Sequence, residues 1–402
     1  MYTKIELEEA IQIIEENVQR LPVAYVELND ALGHILAEDI VAPFDQPPFD
    51  RSPLDGYAVC SQDLLEASQD YPVYLRIVDT VYAGQEAKKE IHYSQAVKIT
   101  TGAMLPKGCD CVIRQEDAKR DRDFVCFYKP AGRYENYCFK GEDFKKGQTL
   151  LKKGIRLDAA ALSVLASAGI SRNIPVYISP SIAVVCTGSE VVSPSVSVLP
   201  VGKIYGTNET YLMARLKEMG IKNIHCAYVP DEPEEASQMM SDLLETYDML
   251  ITTGGVSVGD KDIMHEVLPI MKAEQIFWRV LLKPGSPVMF SKWHGKPILS
   301  LSGNPFAAAA TFELFGRALI HFMAGDASYL PKKMTGILEN EFDKSSKGRR
   351  FIRGRFEDGK VWLPNAHESG IMSSFVGCNC LVDIPAGTPA LQSGNEVNLI
   401  LL

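Results

Sequence analysis

Nowhere does the 402-residue chain hold 18 consecutive apolar residues, so no stretch reads as a membrane-spanning helix. The N-terminal segment Met1–Glu9 is acidic and reads as helical, without the basic region and apolar core of a signal peptide. The expected location is cytoplasmic. Positive charge is also short. Against 51 Asp and Glu there are 41 Lys and Arg, a net charge of −10, which argues against a nucleic-acid or anionic-membrane surface. A small anionic substrate must then be captured by local groups, not by the global field. No Cys-x-x-Cys occurs among the nine cysteines, an odd number that suits no disulfide framework. Cys109/Cys111 and Cys378/Cys380 have the spacing that puts two thiols on one face of a strand. No histidine falls inside either pair, and no metal is expected there. The seven histidines are scattered without ligand spacing. What is present, 46% hydrophobic and 23% charged residues, is the composition of a globular protein long enough for roughly two to four domains.

The most informative stretch runs from Asp248 to Asp262. Met249 to Thr253 reads as a short buried strand, apolar and β-branched without polar alternation. The pattern stops at Gly254-Gly255, and helical spacing begins at Ile263. A strand, a glycine turn and a helix start make an anion cradle, because glycines let backbone N–H groups approach a phosphate. Asp260 and Asp262 stand where the anion would sit, which is repulsive unless a divalent cation lies between. The loop therefore suggests phosphate plus Mg²⁺. The plainer alternative is a tight turn whose aspartates cap the helix.

Along the chain, Thr3 and Glu6 have capping-box spacing ahead of an amphipathic helix (Leu7, Ala10, Ile11, Ile14, Val18). Asp30–Ile40 reads as a second helix. Pro47 to Val59 is a proline-fixed turn segment carrying Asp50, Arg51 and Asp55, suited to a site or to a hinge. Residues 60–145 read as β, and Leu157–Ala168 as a helix. From 175 to 325 strands and helices alternate, with Thr207-Asn208 capping a helix Glu209–Met219, which implies a parallel sheet with its site beyond the C-terminal strand ends. Four polar loops fall there: Thr187–Glu190, Gly254–Asp262, Lys283–Ser286 and Ser302–Pro305. Short strands after residue 326 suggest a small β-barrel. The expected fold class is multidomain α/β: a helical linker domain (1–45 with 146–174), an inserted β domain (46–145), a doubly wound α/β domain (175–325) and a C-terminal β-barrel (326–402).

Six ordered motifs sharpen this reading: Phe49–Val59, Thr101-Gly-Ala-Met-Leu-Pro106, Gly141-Glu-Asp143, Thr187-Gly-Ser-Glu190, Gly254-Gly-Val-Ser-Val-Gly259 and Ser302-Gly-Asn-Pro305. Together they resemble the MoeA family of molybdopterin molybdenumtransferases, relatives of the E domains of gephyrin and the plant molybdenum insertase, over the whole chain. The resemblance implies a homodimer whose α/β domain is MogA-like and binds molybdopterin. It implies insertion of molybdate into adenylylated molybdopterin with release of AMP and use of Mg²⁺, and a transient contact with a MogA-like adenylyltransferase. By the same resemblance Glu190 and Asp262 are assigned to the metal, with Asp260 nearby. Asp55 and Asp143, acids contributed across the dimer, are assigned to catalysis with Glu190, Asp260 and Lys283, and Thr101 in its motif is assigned to cofactor binding. Thr187 and Gly188 belong to the metal loop. Gly254, Gly255, Ser257 and Gly259 would hold phosphate, and Thr207 and Asn208 the pterin or nucleotide side. Lys283 with Ser302, Gly303, Asn304 and Pro305 would receive molybdate, closed by Arg350, Arg353 and Ser374 from the barrel. The chain departs from many relatives at Ser302 (Pro in the relatives), Ser286 (Lys) and Ser189 (Asp), which thins both the cationic and the acidic side of the site. A non-catalytic scaffold and a MogA-like adenylyltransferase are the competing readings; the retained acids speak against the first and the flanking domains against the second.

Overall fold

In the computed structural model, residues 1–257 and 262–402 are described. The chain forms two units, one of Met1–Ala24 with Val176–Leu402, the other of Tyr25–Pro175. The first is built on a seven-stranded sheet. Its strand order is Tyr2–Ile5, Glu274–Val280, Met289–Trp293, Lys296–Leu301, Met249–Thr253, Ile182–Cys186, Ile224–Tyr228. Ile182–Cys186 and Met249–Thr253 are buried at every position, which is why they read as unbroken apolar runs. All strands run parallel except Met289–Trp293, which pairs antiparallel on both sides. The expected purely parallel sheet is thus mixed. A two-residue turn, His294-Gly295, joins that strand to Lys296–Leu301 where a βα unit was anticipated.

The N-terminal segment also departs from expectation. Thr3 lies in an edge strand paired with Trp278, so it does not cap the following helix; the helix Leu7–Asn17 starts after Glu6 without a side-chain cap. Its buried face (Leu7, Ala10, Ile14) joins the core of the α/β sheet with Ile182, Phe277 and Phe315. The first part of the anticipated linker domain therefore packs on the α/β sheet. Periodicity located the helix correctly but carried no information about its partner.

The long apolar helix spans Pro305–Ala324, with a π-helical turn at Phe312–Gly316, and 89% of its most apolar stretch is buried in the unit. It holds two charges in this core. Glu313, fully buried, accepts from Arg215 Nε at 2.7 Å, Arg317 Nη1 at 3.0 Å and the Tyr211 hydroxyl at 2.9 Å. Multiple charge-assisted bonds of this kind are what a buried carboxylate requires.

The C-terminal strands close on themselves. Arg349–Glu357 pairs with Lys360–Trp362 and Cys380–Ile384, and Lys333–Leu338 with Glu396–Leu401 completes the ring. One extra pairing matters for the site. The short strand Leu282–Lys283 adds in parallel to this barrel, with Lys283 in register with Arg350.

The second unit carries a six-stranded sheet in the order Cys111–Arg114, Gly56–Val59, Gln95–Ile99, Val73–Val81, Phe124–Phe127, Ala118–Asp121. It also holds one α-helix, Ala159–Ser167, capped by Asp158, which accepts from Ala161 N–H at 2.8 Å. The helix expected over Asp30–Ile40 is absent: Leu28–Asp30 is a 3-10 turn and Ile35–Leu36 and Ile40–Val41 are strands. Gly33 has φ +80°, and the N–H groups of Gly33 and Leu36 bond the carbonyls of Leu157 and Ile155. Non-local pairing outcompeted a local helix.

Candidate active site

Three adjacent parallel strands finish at one edge of the α/β sheet, with Cys186 opposite Thr253 and Thr253 opposite Leu301. The turns that follow, together with the start of the helix Asn208–Glu218, surround a cavity of about 370 Å³, a size suited to a small-molecule ligand. Glu190, Glu209, Asp231 and Asp262 line it, with Thr187, Gly188, Thr207, Asn208, Gly254, Gly255, Gly303 and Pro305. Among the described lining residues there is no Lys, Arg or His.

Close approach of the turns explains their glycines. Gly254 has φ +94°, and a Cβ there would lie 2.7 Å from Thr187 Oγ1. Asn208 stitches two turns together: its Nδ2 donates to Thr253 Oγ1 at 2.5 Å and to the Gly303 carbonyl at 2.9 Å. The cap expected from Thr207-Asn208 is therefore not made; Thr207 precedes the helix without a side-chain cap bond, and the Asn208 amide faces the turns. Asp231, just ahead of the helix Pro233–Thr246, holds the Thr187–Glu190 turn. Its carboxylate accepts from Gly188 N–H at 2.9 Å and Ser189 N–H at 2.7 Å. Glu209 and Asp231 were missed as site residues; the only sequence signal was their position just after strand ends or at helix starts.

A hard cation fits this donor set, because carboxylates with no lining base would otherwise repel an anionic ligand. Among the described residues no group of three or more His, Cys, Asp or Glu is placed to hold a metal. Glu190 and Asp262 would thus supply at most part of a shell, with water and ligand oxygens completing it, the usual habit of Mg²⁺. Gly259 and Asp260 lie outside the described residues. Ser257 does not line the cavity; its carbonyl meets His265 Nε2 at 3.2 Å.

The fourth expected loop is elsewhere. Lys283 lines a separate cavity of about 320 Å³ with Lys344, Arg350, His367, Glu368 and Ser369. The strand addition that aligns Lys283 with Arg350 is what diverts it. Lys283 and the Ser302–Pro305 loop, expected to act together, are thus divided: Gly303 and Pro305 line the carboxylate cavity, while Ser302 Oγ accepts from Asn304 N–H at 3.3 Å. The two cavities still share a helix. Pro305 lines the first, and Phe306 N–H donates to the Ser369 carbonyl of the second at 3.0 Å.

In the basic cavity Arg350 sits over the Phe342 ring at 5.4 Å, and His367 meets the same ring edge-on at 5.1 Å. Arg350 Nε and His367 Nδ1 are buried without a hydrogen-bond partner. Arg353 does not line the cavity. It is fully buried over Phe306, and its guanidinium donates to the carbonyls of Ile371 at 2.8 Å and Glu368 at 2.6 Å. Its role is to hold the segment carrying Glu368 and Ser369. Ser374 likewise is not on the cavity wall; its hydroxyl donates to the Ile371 carbonyl.

In the other unit, Asp55 and Thr101 meet. Thr101 N–H and hydroxyl both donate to Asp55 Oδ1, at 2.6 and 2.8 Å, holding that carboxyl below its usual range. Asp143 is exposed in the turn after Gly141, its N–H donating to the Gln46 carbonyl. Burial pushes the thiols of Cys109, Cys111 and Cys380 up to about 12, so they stay protonated and are poor metal ligands.

Comparison with known proteins agrees along the full length. A family model described as the MoeA N-terminal region (domain I and II) matches residues 5–169. A probable molybdopterin binding domain matches 183–321, and the MoeA C-terminal region (domain IV) matches 335–402. The chain is 35% identical over 401 residues to a molybdopterin molybdenumtransferase of Staphylococcus aureus strain Mu50, covering 99% of this chain and 95% of the relative. A Staphylococcus epidermidis protein of the same name is 33% identical over 403 residues, covering 99% and 96%. The crystal structure of a molybdopterin biosynthesis MoeA protein from Pyrococcus horikoshii superposes with a TM-score of 0.87 at 30% identity, covering 99% of both chains. With two MoeA regions flanking a molybdopterin-binding one, and relatives matched end to end, the chain belongs to the MoeA family.

Proposed function

We propose that this chain is a molybdopterin molybdenumtransferase, which inserts molybdate into adenylylated molybdopterin and releases AMP in a Mg²⁺-dependent step. The observation that carries the detail is the pairing of two cavities of opposite charge in one unit, joined at the start of the helix Pro305–Ala324. The basic cavity suits a tetrahedral oxyanion, with Lys283 as a point charge and Arg350 offering an unsatisfied Nε–H. The carboxylate cavity suits the pyrophosphate of the adenylylated substrate, with Glu190 and Asp262 as cation ligands and the turn after Thr253 beneath the phosphates. A Mg²⁺ ion bound there supplies charge neutralisation and Lewis acidity at the phosphoryl bond being cleaved. Asp231 keeps the Glu190 turn in place, and Asn208 keeps Gly254 and Gly303 close. The resemblance also supports a homodimer in which the acidic turns at Asp55 and Asp143 come from the second copy, and a transient encounter with a MogA-like adenylyltransferase.

The test is AMP release from adenylylated molybdopterin by the purified protein with Mg²⁺, titrating molybdate. Release should rise with molybdate and fall by about 10²-fold or more in Glu190→Ala. Tight binding of the substrate with no release at any molybdate concentration would reduce the protein to a carrier.

A further inference from the structure

Among the described residues of the unit three carboxylates are buried, Glu209, Glu313 and Asp326, and the two that meet the α/β core, Glu313 and Glu209, are treated differently. Glu313 is held by two arginines. Glu209 has none among its described neighbours in the cavity wall, although it is only 5% exposed. Its partners are neutral: the Tyr228 hydroxyl donates to Oε1 at 2.8 Å, and the Cys186 thiol donates to Oε2 at 3.9 Å. Burial and the adjoining carboxylate push the Tyr228 hydroxyl up, which keeps it a donor. Behind Glu209 lies Gly206, where a Cβ would fall 2.0 Å from Oε1, so the backbone there closes against the carboxylate. Each carboxylate oxygen accepts two bonds, and one is used on each. What is left is a charged acceptor with two free lone-pair sites on the wall of the substrate cavity. A buried charge so placed is costly until a ligand completes it.

The complement of a carboxylate is a planar fork of two adjacent N–H donors. Among the groups in adenylylated molybdopterin, the phosphates carry no donors, adenine lacks such a fork, and the ribose diol is a non-planar pair of O–H donors that the AMP titration below reads separately. The 2-amino-4-oxo edge of the pterin has one, in N3–H and the 2-amino group. We propose that Glu209 is a specificity-determining residue for the pterin half of the substrate, its two oxygens accepting the N3–H and 2-amino N–H bonds. This rests on the molybdopterin reading of the cavity. The helix Asn208–Glu218 then serves both halves of the cavity: Asn208 holds the phosphate turns, and Glu209 reads the ring.

Calorimetric titration of the full chain with three probes tests this: unsubstituted pterin, lumazine (which differs from it by an oxo group in place of the 2-amino group), and AMP with Mg²⁺. The wild type should bind the pterin about 10-fold or more tighter than lumazine, a ratio read without any variant. Glu209→Gln turns one acceptor into a donor; it should weaken the pterin by about 10²-fold, bring the ratio to about one, and leave AMP with Mg²⁺ unchanged. Glu209→Asp, which keeps the charge, should recover part of the ratio. A wild type that does not distinguish pterin from lumazine overturns the inference. So does a Glu209→Gln protein that loses AMP–Mg²⁺ binding in parallel with pterin, which would make Glu209 a metal ligand or a structural group. If wild type bound neither pterin nor AMP, the molybdopterin reading itself would fall, and this inference with it.

Discussion

The two cavities of the α/β and barrel unit are close in volume, about 370 and about 320 Å³, and opposite in charge. Among the described residues four carboxylates line the first; two lysines, an arginine and a histidine face one glutamate in the second. The basic cavity can take an anion directly. Under the proposed function the acidic one takes its anion through a cation, so that its occupancy would depend on metal. Two anionic ligands would then need different partners, and neither would compete for the other's place.

The largest way to break this comparison is to remove what both cavities share. The helix that starts between them is anchored by Glu313, whose loss leaves Arg215 and Arg317 without their buried partner. Glu313→Ala should cost about 3–5 kcal/mol in chemical denaturation and weaken both ligands together. Survival of either affinity at full strength would show that this cavity does not depend on the shared helix.

A reciprocal pair of variants sharpens it at smaller cost. Lys283→Ala should weaken molybdate binding by about 10-fold and leave AMP–Mg²⁺ binding intact. Glu190→Ala should do the reverse, lowering Mg²⁺-dependent AMP affinity by roughly 10–100-fold. Equal loss of both ligands in both variants would mean that the cavities act as one site.

The smallest effect is a slope. Burial, then Arg353 and Lys344, hold His367 below the usual 6.5, with Glu368 and Asp343 opposing weakly. As pH falls below 6.5 the unfolded chain takes a proton that the folded one refuses. His367 therefore contributes nothing above that pH and destabilises increasingly below it. A bound oxyanion favours the imidazolium and raises the His367 pKa above its lowered ligand-free position, so molybdate affinity should rise as pH falls toward that lowered position, with proton uptake measurable by calorimetry in two buffers. His367→Gln should flatten the profile; an unchanged slope would place the proton on another group.

The outline of this protein was legible in its sequence because much of it is local. Met249–Thr253 and Ile182–Cys186 are buried on both faces, so their apolar runs carry their own boundaries. Gly254 and Gly255 hold positive φ, and Gly254 approaches Thr187 too closely for a side chain; Glu190 and Asp262 line the cavity beside them. Sequence failed where a segment's partner is distant. Thr3 became a strand because Trp278 lies beside it, and residues 35–41 paired with the chain near 149–157 instead of coiling. Lys283 left the expected cavity because two residues joined the barrel strand Arg349–Glu357, more than 60 positions away. Motif order and local spacing determined the family, the buried central strands, and Glu190 and Asp262 in the acidic cavity. Only tertiary packing decided that one strand of the sheet is antiparallel, that Arg353 is a brace, that Asp231 and Glu209 face the cavity, and that Lys283 lines a separate one: those outcomes depend on long-range contacts, which leave no local period or spacing to read.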